Sequence, residues 1–112
     1  MDKQKDDRYY AKRILRYVSS ALNSAEHVDF SRPEANEEGI FAINFCMIQI
    51  RELAEKLSST FLKSEFPVSL TDLAYFRNTI THEYGNLGFS LYRDLVQDDL
   101  PAIEKCLEDY LK

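Results

Sequence analysis

Glycine and proline, the residues that most often punctuate a fold, are scarce here: three of each in 112 residues. Between these few breaks, apolar residues recur at three- and four-residue steps in long runs. Strands have a period of two and cannot bury such a pattern on one face, whereas helices can. Few breaks and a helical period together point to an all-α chain of a few long helices.

The first run places Tyr10, Ile14, Tyr17, Val18, Ala21, Ala25 and Val28 on one stripe, which predicts an amphipathic helix over about residues 3–27. Its basic residues Lys5, Arg8, Lys12 and Arg16 fall on another stripe. The piece DFSRP should break this helix, because proline disfavours helical geometry in the residue before it. Ile40, Ile43, Met47, Ile50, Leu53, Ala54, Leu57 and Phe61 predict a second helix over about residues 34–62. In the stretch SLTD, Ser69 is placed to cap a third helix over about residues 70–84, with an acid three positions on. Gly85 and Gly88 are suited to end it. A fourth helix, over about residues 91–111 with Ser90 as its cap, buries Leu91, Leu95, Leu100, Ile103, Leu107 and Leu111. Pro101 should kink it near Asp99. The expected fold is a four-helix, all-α bundle forming a single domain over residues 1–112.

Several functional classes are disfavoured by composition. No segment approaches the ~20 apolar residues of a membrane span, and the charged start MDKQKDDRYY is unlike a secretory signal. A cytoplasmic protein with no membrane partner is the expectation. Cys46 and Cys106 lie far apart among apolar neighbours, which suggests buried, reduced thiols and no metal site. The net charge of −5 argues against a protein that coats nucleic acid by charge alone. Yet residues 1–16 carry +3, against −8 in the other 96. That asymmetry hints at an anionic partner, although a solvated helix face would look the same. Tyr9 and Tyr10 beside Arg8 and Lys12 resemble a stacking-and-charge surface for RNA, with core or dimer packing as the plainer use of the rings.

The stretch RNTITHEY, residues 77–84, gathers an arginine, an amide, a histidine and a tyrosine in one piece of helix. At ~100° per residue, Asn78 and His82 share a face, whereas Arg77 departs ~140° from His82. One copy of this helix therefore makes a poor closed site, and two copies meeting in a dimer make a better one. Histidine exchanges protons near neutral pH, and arginine offers a fork of donors suited to phosphate oxygens. Asparagine can orient the histidine or donate to the same phosphate. These are the parts for metal-free RNA cleavage, in which the 2′-hydroxyl attacks its own phosphodiester and no cofactor is required. HEYGN lacks the second histidine of a zinc-protease motif, and no glycine-rich phosphate loop or GxSxG elbow occurs. The same residues could instead form an interior hydrogen-bond network.

The run R-N-x-x-x-H-x-Y, preceded by LTDLA, resembles the signature of the HEPN superfamily, and within it the HepT-like toxins of HepT–MntA toxin–antitoxin pairs. IRELAEKLS (50–58) is similar to the end of that family's long second helix, and DLVQDDLPAI (94–103) to its last helix. The resemblance implies a homodimeric, helical, metal-independent ribonuclease whose paired motifs line a cleft between subunits. Arg77, Asn78 and His82 would be its catalytic residues, with Asn78 in support. Tyr84 matches the tyrosine that a partner nucleotidyltransferase antitoxin modifies with AMP. The chain departs from the pattern at Arg51, where many relatives carry a glycine-containing I-G-E-A step. It also has Leu70 and Tyr92 where tryptophans are frequent. Glu52 and Glu55 could face the cleft or simply solvent, and His27 suits the negative end of the first helix. Two other readings remain open. One is a non-catalytic companion subunit of a nucleotidyltransferase, with nucleotide binding as an option; the other is a structural dimer in which the motif specifies the interface.

Overall fold

The computed structural model describes residues 5–82 and 89–112, with side chains except at 80–82 and 89. The described residues form helices and turns without a strand, the all-α bundle expected. Helix α1 spans Asp7–Ala25. It starts later than the periodicity suggests because the Asp6 carboxylate accepts the Tyr9 N–H at 3.0 Å and fixes the N-terminus there. Ala11, Ile14, Val18 and Ala21 form its buried stripe.

The loop after α1 is held by its own polar side chains. Asp29 accepts from the Ser31 N–H at 3.0 Å and from its hydroxyl at 2.6 Å. Asn36 links the two ends, donating to the Arg32 carbonyl at 2.9 Å and accepting the Asp29 N–H at 3.2 Å. A 3₁₀ turn at Pro33–Asn36 then leads into α2, Glu37–Ala54. Gly39 sits where the loop crosses α2: a Cβ there would overlap Val28 Cγ2.

Where a single helix over about 34–62 is expected, the chain turns after Ala54 and resumes as α3, Ser59–Ser64. Ser58 is the reason. Its hydroxyl accepts the Phe61 N–H at 3.1 Å, capping α3. Its own N–H and hydroxyl both donate to the Asp7 carboxylate, at 2.7 and 2.6 Å. The turn lets Leu57 and Phe61 both reach the core, at 5% and 4% exposure.

Helix α4, Leu70–His82, begins as the sequence suggests, with Ser69 Oγ accepting the Asp72 N–H at 3.0 Å. The proposed glycine terminators Gly85 and Gly88 lie outside the described residues. Helix α5, Phe89–Asp94, already contains Ser90, so that serine is not its cap. The kink expected near Asp99 takes the form of a π turn, Leu95–Asp99, before α6, Leu100–Leu111. Proline has no N–H, and its ring crowds the carbonyl four residues back. The backbone widens ahead of Pro101, and the Leu100 N–H reaches Leu95 O, five residues earlier.

Helix α1 packs against α2 and α6, and α2 packs on its other flank against α4. Ile14, Ile43, Ile50, Leu100, Ile103 and Leu107 are almost fully enclosed where these helices meet. Truncating any one of them to alanine would cost about 2–5 kcal/mol. Met47 shares a pocket with Leu73 and Phe76, while Asn44 is linked through Tyr92 to Phe76. The part of α4 just before Arg77 thus packs beside Met47 of α2.

Candidate active site

Tyr92 fixes the helix that carries the motif. Its ring is 4% exposed, stacks on Phe30 with centroids 5.1 Å apart, and meets Phe76 edge-on at 5.8 Å. Its hydroxyl donates to Asn44 Oδ1 at 2.8 Å, which gives the buried phenol the partner it needs. Phe76 is thus gripped by α5 immediately before Arg77. The sequence signal for this brace was one of two amides in the apolar run INFCMIQI, and Asn44 was not singled out.

Arg77 is half-buried, and its Nε is enclosed. Its Nη1 donates to Asn78 Oδ1 at 3.3 Å. Neighbouring helical side chains do not normally face one another, so the long guanidinium must curl round the helix to make this bond. It curls toward the face of Asn78, from which residue 82 also departs within ~40°. The structure therefore joins Arg77 to Asn78 and turns the charge toward the side where the sequence places His82. His82 closes α4; its side chain lies outside the described residues, as does the whole of Tyr84.

Tyr75 shares this face, seven residues before His82, and is 65% exposed. Its i, i+3, i+7 spacing to Asn78 and His82 is the signal for it in the sequence, although Tyr75 lies outside the polar motif. At the other end of α4 the charge is negative. Asp99 has its carboxyl held above the usual aspartate range by partial burial and by the nearby carboxylates of Asp98, Asp72 and Asp94. Asp72 lies in the first turn of α4, where a negative charge suits the helix dipole.

Arg51 lies 2.8 Å from Glu55 and 3.8 Å from Glu52, so these two acids pair with the arginine of their own helix. Cys46 is buried, and its thiol pKa is raised by desolvation. Cys106 is only half-buried; its Sγ donates to the Glu65 carbonyl at 3.1 Å, and burial followed by nearby acids raises its pKa too. Among the described residues no helix is long and apolar enough to cross a membrane.

The profile of the family described as Ribonuclease HepT-like matches residues 9–110. The chain belongs to this family. The match runs from the first turn of α1 to the end of α6 and takes in all of residues 77–84. No curated protein and no solved structure matches the chain. The HepT-like assignment and the all-α bundle agree, and the polar cluster of α4 lies within the matched residues.

Proposed function

We propose that this HepT-like chain is a metal-independent endoribonuclease toxin that acts as a homodimer. The observation carrying the reading is the family match across the whole helix bearing Arg77, Asn78 and His82. In the reaction, the 2′-hydroxyl of RNA attacks the adjacent phosphorus and the 5′-oxygen of the next nucleotide leaves. The products are a 2′,3′-cyclic phosphate and a free 5′-hydroxyl. His82 accepts or returns the proton near neutral pH. The Arg77 guanidinium meets the charge that develops on the phosphorane oxygens, and Asn78 holds that guanidinium in place.

Dimerisation is supported by the outer face of α2. Phe41 and Phe45 are 50% and 55% exposed and one helical turn apart. Apolar rings in such a position favour a partner surface. Two copies packed there would bring two α4 helices to one cleft. Tyr84, two residues beyond His82, is the proposed target of a nucleotidyltransferase antitoxin. An adenylyl group adds bulk and negative charge beside a site that must admit an anionic backbone, so it would silence cleavage.

The test is RNA cleavage in excess EDTA by protein shown by intact mass to be unmodified, beside a His82→Ala variant of equal fold. Cleavage by the wild type alone, leaving cyclic phosphate ends, is the expected result. If neither protein cuts any of several RNAs, the chain is instead a non-catalytic companion of a nucleotidyltransferase.

A further inference from the structure

The outer face of α1 collects cations that, among the described residues, make no ion pair with a carboxylate. Arg8, Lys12, Arg13 and Arg16 fall within a sector of about 140°, at ~100° per residue, opposite the buried stripe of Ala11, Ile14, Val18 and Ala21, and Lys5 lies just ahead of the helix. Among the described residues, ion pairs are made by Arg51, Arg93, Lys105 and Lys112, and none by these five. The two described acids at the start of α1 are engaged in other bonds: Asp6 caps the helix and Asp7 binds Ser58. In a chain of net charge −5, an uncompensated basic face is a feature to be explained.

An aromatic ring lies among these charges. Tyr9 has Lys5 Nζ 4.8 Å and the Arg13 guanidinium 5.8 Å from its centroid, and Arg16 stands 6.0 Å from the Tyr17 ring. From Arg8 to Arg16 the face runs about 12 Å, enough to meet successive phosphates of one strand. A lipid surface fits less well, because interfacial helices need an apolar face to insert and that of α1 is spent on the core.

We propose that this face of α1 binds the phosphate backbone of single-stranded RNA, with Tyr9 as a stacking platform, away from the Arg77–Asn78 pair. The proposal rests on the ribonuclease reading for its choice of polyanion. A track of this kind would hold a long RNA while the cleft acts on one bond, so substrate length as well as sequence would set affinity.

The experiment measures binding of a fluorescent single-stranded RNA across a salt series, using the His82→Ala protein so that nothing is cut. Lys12→Ala/Arg13→Ala/Arg16→Ala is added to that background and compared with Arg32→Ala/Lys63→Ala/Lys105→Ala, which removes the same charge elsewhere. Circular dichroism checks that both fold. The α1 variant should lose about 2 from the slope of log affinity against log salt, at ~0.7 per phosphate contact, and the control should keep its slope. Equal losses in the two variants would mean that net charge alone is responsible, and would overturn the track. So would a parent protein that ignores RNA yet binds phosphatidylserine vesicles or an acidic protein. Failure of the nuclease reading is separately visible: RNA would bind through α1 while the His82-containing protein cuts nothing.

Discussion

At the scale of single residues, Asp99 is the group whose environment makes the clearest demand. Partial burial, with Asp98, Asp72 and Asp94 around it, raises its carboxyl above the unfolded value. The native state therefore binds a proton there more readily than the unfolded chain. Its contribution to stability is most favourable below the ordinary aspartate range and is lost as pH rises through the raised value. Asp99→Asn should accordingly increase the urea midpoint at pH 7 and leave it nearly unchanged near pH 3. A variant no more stable than wild type at neutral pH would show that the four carboxylates do not strain the fold. Arg77 is a different kind of residue. Its bond to Asn78 follows from the reach of the guanidinium, so neither partner could be replaced without changing how the charge is aimed.

The break between α2 and α3 is the feature of the elements that the periodic pattern concealed. Leu57 and Phe61 continue the spacing of α2, and both are buried, yet they belong to a turn and to a second helix. One carboxylate at the start of α1 holds that turn by two short hydrogen bonds to Ser58. A charge-assisted pair of this kind contributes about 1.5–3 kcal/mol even at the surface of a packed region. Ser58→Ala removes both a cap and one of these bonds. It should lower stability by about 1–2 kcal/mol in chemical denaturation. Asp7→Ala should cost a similar amount, and the double variant should cost clearly less than the two combined. Strict additivity would mean that the bridge is not what locates α3.

At the scale of the whole molecule, charge and apolar surface are separated. Cations cover the outside of α1, acids gather where α4 meets the π turn, and exposed rings lie on the outer side of α2. If Phe41 and Phe45 join two copies, Phe41→Glu/Phe45→Glu should shift the protein to monomer in sedimentation experiments. Cleavage should fall in step by at least tenfold, while the helical signal is kept. A monomer that still cleaves RNA at the wild-type rate would contradict a shared cleft. The acidic end of α4 would give this proposed arrangement a direction, since an RNA strand seated at Arg77 would be repelled from Asp72 and Asp99.

The helical class, the amphipathic stripes, the Ser69 cap and the disturbance ahead of Pro101 were all legible in the sequence. Each depends on residues within a few positions of one another, and local backbone geometry is what a helical period and a proline report. The polar motif was legible for the same reason, as a spacing along one helix. Four features were decided only by the tertiary structure. They are the turn at Ser58, the Tyr92–Asn44 brace behind Phe76, the half-exposure of Cys106 and the lack, among the described residues, of ion pairs to the α1 cations. All four depend on partners about 40 or more residues away, or on their absence. Such contacts leave no period in a sequence, because it is the packing of one helix on another that brings them within reach.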